Sequence, residues 1–367
     1  MRLRPFSLDL TSPLETARGP IAAREGFLVS VASGDGGTDA PDSSPGLGEA
    51  TPLPNWTESR SACESALQES AAVASSASAS RACGVGAHDA LSRLDPDETP
   101  AARHGVALAL ADAAARDADR SLASHLADDR GLRSPGESVP VNATVGDADA
   151  EETVRAAESA VDDGFRCLKV KVGARSLDAD AERLRAVRRA VGDEIALRAD
   201  ANGSWDRRTA ERALDRLEPL NLAYVEQPLP PGDLDGTARL RDGSDVPIAL
   251  DESLAGRDLD RVLDAGAADV VVLKPMALGG PDRALSAALR AREAGVEPVV
   301  TTTIDAVVAR SAAVHVAAAI PNVGPCGLAT GSLLESDLAA DPCPIASGET
   351  LVPSGPGLAG DAFDALR

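Results

Sequence analysis

The sequence predicts an α/β protein: a barrel of parallel strands preceded by a small α+β region. Three observations carry this. From about residue 139 onward, short β-rich runs alternate with Ala/Arg/Glu-rich helical stretches. Eight such runs can be read, the number that closes a barrel. No glycine-rich phosphate loop follows the first of them, as an open doubly wound sheet would require.

The front of the chain reads differently. Residues 27–31 (FLVSV) form a strand, and the Gly/Asp/Pro/Ser tract 33–48 is a loop by composition. Helical pattern covers 58–78 and 85–93, Asp95-Pro96-Asp97 punctuates, and a further helix is expected over 106–126. The eight runs are 139–145, 167–172, 195–201, 222–226, 247–251, 270–274, 298–303 and, weakest, 324–330. Helices are expected between them at 149–163, 179–191, 207–217, 259–265 and 281–294. The length of 367 residues allows a barrel with an added domain. With 44% hydrophobic but only 2% aromatic residues, the core must be built of Ala, Val and Leu.

The net charge of −22 argues against nucleic acid as a partner, since phosphates demand a basic footprint. Acid excess with almost no lysine points instead to a host living at high salt, where screening removes self-repulsion. No run approaches the roughly 18 apolar residues of a membrane span, and the start, MRLRPFSLDL, lacks the apolar stretch of a secretory signal. A cytoplasmic protein is expected, and nothing in the sequence weighs against a homo-oligomer. Five scattered cysteines without a CxxC pair argue against a disulfide framework or a zinc site. The four histidines are equally scattered.

Barrel active sites lie at the carboxyl ends of the strands, and those ends are informative. They read Lys169-Val170-Lys171, Asp200-Ala201-Asn202, Glu226-Gln227-Pro228, Asp251-Glu252-Ser253 and Lys274-Pro275, spaced by 23 to 29 residues from Lys171 onward. Each step is about one strand plus one helix, so these groups converge on one mouth. Asp200, Glu226 and Asp251 offer carboxylate oxygens from three successive strands, the donor type that Mg²⁺ prefers, with Mn²⁺ as an alternative. Asn202, Gln227 and Glu252 follow closely and are expected to buttress them. A helix cap or solvated loop would explain any one acid. Three at the ends of apolar strands would be costly buried charges without a counter-ion.

Only three of the 36 basic residues are lysines. A surface that has discarded lysine yet keeps it at three strand ends needs a group that can release a proton, which arginine cannot do. Lys169 and Lys171 are two apart on a strand and share a face. Two such ammonium groups should depress each other's pKa, a nearby divalent cation further, as suits a general base. Lys274 should face them from the opposite side.

These motifs resemble the enolase superfamily, specifically its muconate-cycloisomerase-like branch. The matching stretches are the K-x-K of Lys169 and Lys171, Asp200-Ala-Asn202-Gly-Ser-Trp205, Val225-Glu226-Gln227-Pro228, Leu250-Asp251-Glu252-Ser253, and Leu273-Lys274-Pro275 with Gly279-Gly280. The resemblance implies a modified (β/α)7β TIM barrel over 106–335, a capping domain over 1–105, and a tail, 336–367, that returns to the cap. It also implies removal of a proton alpha to a carboxylate, assisted by Mg²⁺. Within the branch the chain is most similar to the o-succinylbenzoate synthases of menaquinone biosynthesis. The supporting stretches are Gly48-Glu49-Ala50-Thr51-Pro52-Leu53-Pro54, Val141-Asn142-Ala143, Thr301-Thr302-Thr303-Ile304-Asp305 and Gly327-Leu328-Ala329-Thr330-Gly331-Ser332.

That likeness implies a hydro-lyase acting on 2-succinyl-6-hydroxy-2,4-cyclohexadiene-1-carboxylate. Lys171 would take the alpha proton and assist loss of the hydroxyl, Lys169 would support the carboxylate, and Lys274 would stabilise the anion. Thr301 and Gly327 would hold the succinyl arm through backbone N–H groups, and Arg24 would lie where a capping loop meets substrate. Dipeptide epimerases, N-acylamino acid racemases and muconate cycloisomerases share the lysines and acids and remain alternatives. The epimerases resemble this chain but carry an Asp-x-Asp pair where it has Cys326-Gly-Leu-Ala-Thr330. From other classes, a Schiff-base aldolase would use Lys274 as nucleophile without metal, and a non-catalytic barrel would tolerate loss of Lys171.

Overall fold

The computed structural model describes residues 1–14, 19–32, 45–78, 85–256 and 259–367; Cys83 and most of the 33–48 tract lie outside them. Strands β1 (Arg2–Leu14), β2 (Ile21–Val31) and β3 (Gly46–Ala50) form an antiparallel sheet in that order. Phe27, Val29, Val31 and Ala50 bury their side chains with Cys63 and Leu67 of α1 (Arg60–Ser78) and Ala102, Val106 and Ala109 of α3 (Pro100–Asp117); α2 (Val85–Ser92) lies between these two helices in the chain. Gly48 makes the closest approach. A Cβ there would sit 1.9 Å from the Gly105 carbonyl oxygen, so β3 rests backbone to backbone on α3.

The helix expected over 106–126 is two helices. Proline at the first turn starts α3 six residues earlier, and Ala118 and Asp119 (φ 51°) turn the chain. Ser121 then caps α4 (Leu122–Asp128) by accepting from the Ser124 amide. The apolar pattern ran on because both helices bury Ala and Leu. The strand expected over 139–145 is likewise divided into β4 (Ser138–Pro140) and β5 (Ala143–Val145).

From β5 the chain winds regularly: α5 (Ala150–Asp162), β6 (Cys167–Lys171), α6 (Leu177–Val191), β7 (Ala196–Asp200), α7 (Arg207–Leu217), β8 (Tyr224–Glu226), α8 (Leu234–Asp242), β9 (Ile248–Leu250), α9 (Leu259–Asp264), β10 (Val270–Leu273), α10 (Pro275–Leu278), α11 (Pro281–Glu293), β11 (Glu297–Val300) and α12 (Val307–Ala319). The seven strands β5 to β11 are parallel neighbours in chain order. The weak eighth run survives as two parallel bridges, Val141 to Cys326 and Thr301 to Gly327, which join the first and last staves and close the barrel. Side chains such as Asp149, Ser176 and Asp206 cap α5, α6 and α7.

Alternation along each strand sorts the side chains. Val225, Ile248, Leu250, Val271 and Leu273 pack with Leu184, Leu214, Leu285 and Ala288 of the surrounding helices. Tyr224, Ala249 and Val299 form a separate cluster with Val270. After α12 the chain forms β12 (Ile345–Ala346) and β13 (Glu349–Leu351), which pair onto β4. Arg367 ends the run by donating to the Pro45 carbonyl and to Asp112. Among the described residues the cysteines Cys63, Cys167, Cys326 and Cys343 are free and buried, and no helix is long and apolar enough to cross a membrane.

Candidate active site

Parallel register sets the acids side by side. Lys171 pairs with Asp200, and Asp200 with Glu226, at the ends of β6, β7 and β8. Asp251 follows β9 directly, and Lys274 follows β10. All three acids are buried, as is Lys274, whereas the Lys171 side chain is 34% exposed, the most open of the three lysines.

The lysines occupy the space between the acids. Lys169 Nζ lies 3.0 Å from Asp200 Oδ2 and 3.0 Å from Glu226 Oε1. Lys171 Nζ donates to Asp200 Oδ2 and to Asn202 Oδ1, both at 2.7 Å. Lys274 Nζ lies 2.6 Å from each oxygen of Asp251. This corrects one expectation from the sequence. Burial acts to lower Lys169, but Glu226, Asp200 and Asp251 outweigh it and hold it well above the ordinary lysine range. The carboxylates between the ammonium groups decide the balance, and the neighbouring ammonium does not.

The buttressing residues are as closely engaged. Asn202 donates from Nδ2 to Glu252 Oε1 (2.8 Å) and from its amide to Asp200 Oδ1 (3.1 Å). Gln227 accepts from the amides of Asp251 (3.2 Å) and Ser253 (3.0 Å) while donating to Ser253 Oγ and the Leu229 carbonyl. Asn202 and Gln227 both hold positive φ, 45° and 41°, in the sharp turns that end β7 and β8. Ser253 therefore belongs to the support as well.

Among the described residues, no three His, Cys, Asp or Glu side chains are gathered closely enough to hold a metal ion as they stand. The donor set nonetheless fits one. Burial pushes Glu226 up to about 7, against the pull of Lys169, with Asp200 and Asp251 adding to the rise. Burial likewise raises Asp251 despite Lys274, and Glu252 adds to it. Asp200 alone is held well below the usual range, by Lys169 and Lys171 against its burial. Glu252 Oε2 is buried with no hydrogen-bond partner. Three lysines leave this carboxylate group short of positive charge, and oxygen donors of this kind suit a hard divalent cation.

All three candidates for substrate contact are placed otherwise than expected. The Thr301 amide donates to the Leu273 carbonyl and the Gly327 amide to the Val300 carbonyl, each at 2.9 Å. Barrel closure uses these N–H groups, so they are not open to an acyl arm, and Thr301 Oγ1 itself donates to the Gly327 carbonyl at 2.7 Å. Arg24 is 2% exposed, and burial pulls its pKa down against Asp305 and Glu49. Each of its three nitrogens donates to a backbone carbonyl: Ile304 (3.1 Å), Pro52 (3.0 Å) and Thr51 (2.9 Å).

Two residues at the site were not singled out from the sequence. Trp56 lays its ring over Lys274, with Nζ 3.1 Å from the ring centroid. A turn in which the amides of Trp56 and Thr57 both donate to the Leu53 carbonyl, with Asn55 at φ 75°, holds it there. Its rarity in a chain with 2% aromatics was the available signal. Arg198, one layer below Asp200 on β7, stacks over Tyr224 at 4.7 Å and donates to Asn142 Oδ1 (3.0 Å) and the Pro325 carbonyl (2.9 Å). It bolts the first stave to the closing segment, and its spacing of two from Asp200 placed it on that face. Beside the site, behind Trp56, lies a cavity of about 750 Å³ lined by Pro54, Glu58, Leu254, Ala255 and Arg283. The three lysines and three acids do not line it.

Comparison with known proteins adds the following. A model of the Enolase C-terminal domain-like family matches residues 152–362. The o-succinylbenzoate synthase of Thermobifida fusca is 44% identical over 211 residues, which cover 56% of this chain and 64% of that protein. The N-succinyl-L-Arg/Lys racemase of Bacillus cereus is 36% identical over 183 residues, 49% of each chain. The L-Ala-D/L-Glu epimerase of Bacillus subtilis is 29% identical over 357 residues, 96% of this chain and 93% of that one. A substrate-liganded structure of the Bacillus subtilis epimerase superposes with a TM-score of 0.81 at 27% identity, covering 98% of this chain and 97% of that one.

Proposed function

We propose, from the premise that this chain belongs to the Enolase C-terminal domain-like family of the enolase superfamily, that it is an o-succinylbenzoate synthase. It would dehydrate 2-succinyl-6-hydroxy-2,4-cyclohexadiene-1-carboxylate to 2-succinylbenzoate, a step of menaquinone biosynthesis. Residues 1–105 and 336–367 would form the cap, and 106–335 the catalytic barrel.

The chemistry rests on Lys171 and Lys274, whose side-chain nitrogens pair with two different carboxylates, Asp200 and Asp251, at the barrel mouth. Lys171, the most exposed of the three lysines, would take the proton alpha to the carboxylate. The same ammonium then returns that proton to the departing hydroxyl on the same face, water leaves, and the ring becomes aromatic. Lys274 would support the negative charge that develops meanwhile, and Lys169 would hold the substrate carboxylate. Asp200, Glu226 and Asp251 would hold Mg²⁺. The cation would supply positive charge beside the substrate carboxylate.

The acid-free stretch Cys326 to Thr330 favours this substrate over a dipeptide. The nearby Asp337 is already engaged by Arg310 (3.0 Å) and the Val307 amide (2.8 Å), so it is not an open partner for a substrate ammonium. The likeness to the N-succinyl-amino acid racemase favours a second reading, racemisation of an N-succinylamino acid with Lys171 and Lys274 as opposed bases. The deciding experiment follows loss of the cyclohexadiene chromophore with Mg²⁺ at high salt. Alpha-proton exchange in D₂O is measured in parallel on an N-succinylamino acid and a dipeptide. Turnover of the diene alone supports the first reading; exchange without diene turnover overturns it.

A further inference from the structure

Among the described non-glycine residues with positive φ, Ile304, at 60°, is the one that is β-branched. A branched side chain strongly disfavours that region, so the turn after β11 holds its shape only because its surroundings impose it. Two buried charged residues from the N-terminal sheet supply the constraint. Arg24 on β2 donates from Nε to the Ile304 carbonyl while its other nitrogens hold Thr51 and Pro52. Glu49 on β3 accepts from the amides of Ala306 (2.9 Å, Oε1) and Ala309 (2.8 Å, Oε2), and Thr51 Oγ1 donates to it at 2.5 Å. Ala306, the cap position of α12, has no side-chain cap of its own, so Glu49 caps that helix from another part of the chain. Within the turn, Thr302 Oγ1 accepts from the Ile304 amide and Asp305 accepts from Thr303.

We infer that Arg24 and Glu49 are positioning residues, a clamp that holds the strained turn 302–306 in the shape that receives the distal arm of the substrate. The inference rests on the proposed function for the identity of that arm, but the clamp itself does not. The turn follows the carboxyl end of a barrel strand, the face where substrate binds. Arg24 acts through the turn without touching the ligand. The same clamp joins two sequence stretches, Glu49 to Pro52 and Ile304 to Ala309.

The test compares the intact protein with Arg24→Met, Arg24→Lys, Ile304→Gly and Arg24→Met/Ile304→Gly. Glycine adopts φ 60° freely, so it removes the need for a clamp. Hydrogen exchange of peptides spanning 302–309, read by mass spectrometry, should rise roughly tenfold in Arg24→Met and return toward the parent value in the double variant. Arg24→Lys keeps the positive charge beside Asp305 and Glu49 but cannot span three carbonyls, so its exchange should rise in the same direction, and it is the variant read if Arg24→Met fails to fold. Calorimetric affinity for 2-succinylbenzoate should fall about tenfold in Arg24→Met and recover in the double variant, with benzoate affinity unmoved. KM should rise more than kcat falls. Unchanged exchange in Arg24→Met overturns the clamp, and so does a double variant worse than either single one. If the parent protein fails to bind 2-succinylbenzoate, the proposed substrate falls while the exchange result still decides the clamp.

Discussion

Lys274 Nζ is seated between the Asp251 carboxylate, 2.6 Å from each oxygen, and the face of Trp56, 3.1 Å from its centroid. A cation on one side and a ring quadrupole on the other attract each other, so the lysine is held at two points, one from the barrel and one from the N-terminal part of the chain. A divalent cation on Asp251 would compete with Lys274 for the same two oxygens.

Adding Mg²⁺ should therefore loosen Lys274 from Asp251 and alter the emission of Trp56. The other tryptophan, Trp205, is buried away from any lysine ammonium contact among the described residues. The measurement is a fluorescence titration of the parent and of Trp56→Phe, with calorimetry alongside. A change lost in Trp56→Phe is expected. Calorimetric binding with an unmoved parent spectrum would show that Lys274 keeps its seat.

Lys171→Ala should lower kcat by roughly 10³-fold or more while leaving the circular dichroism spectrum unchanged. Lys171→Arg should be no better, because guanidinium does not release its proton. Activity within a few-fold of the parent in either variant would remove Lys171 from the role of base. Lys274→Ala separates the readings further, since a two-base racemisation cannot complete without it, whereas a one-base dehydration still has Lys171 to move the proton.

Much of this was legible before the structure. Barrel strands end in a fixed place, so a list of strand-end residues already named Lys171, Asp200, Glu226, Asp251 and Lys274, and register then set the first three side by side. What stayed hidden depends on contacts between distant segments. Trp56 reaches Lys274 from 218 positions away, and no local pattern encodes that. Arg24 looked like a substrate ligand because a buried arginine tied to three carbonyls reads, in sequence, like an open one. The amides of Thr301 and Gly327 looked available because the last stave, reduced to single bridges, gives little β signal. The break between α3 and α4 was missed because alanine continues the helical pattern through it.

Salt should stabilise the protein. With a net charge of −22, self-repulsion opposes the compact state and is screened over roughly 3 Å at 1 M salt, against about 10 Å at 0.1 M. Thermal unfolding in KCl from 0.1 to about 2 M should show Tm rising throughout. A Tm that peaks at low salt would mean that local ion pairs such as Arg207 with Asp233 outweigh the global repulsion.

Acid should destabilise the fold through His315, and the sign follows from its bonds. His315 Nε2 donates to the Leu358 carbonyl at 2.7 Å, and Nδ1 accepts from the Ala123 amide at 3.2 Å. The neutral ring is fully satisfied, and a proton on Nδ1 would face an N–H. Burial brings its pKa down to about 4, against smaller upward pulls from Leu358 and Asp112. Between pH 4 and the unfolded value near 6.5, only the unfolded chain binds the proton, so stability is complete above that value and is lost as pH falls. The shift corresponds to about 3 kcal/mol at pH 4. Glu49, which burial and Asp305 push up to about 7, acts the other way, adding stability as pH falls toward the ordinary carboxylate range. The two oppose each other in the parent, so the informative quantity is a difference. His315→Gln keeps a donor toward Leu358 but cannot ionise, and urea unfolding at pH 7, 5.5 and 4.5 should show it losing less stability than the parent. Parallel losses in the two proteins would mean that His315 contributes nothing to acid sensitivity.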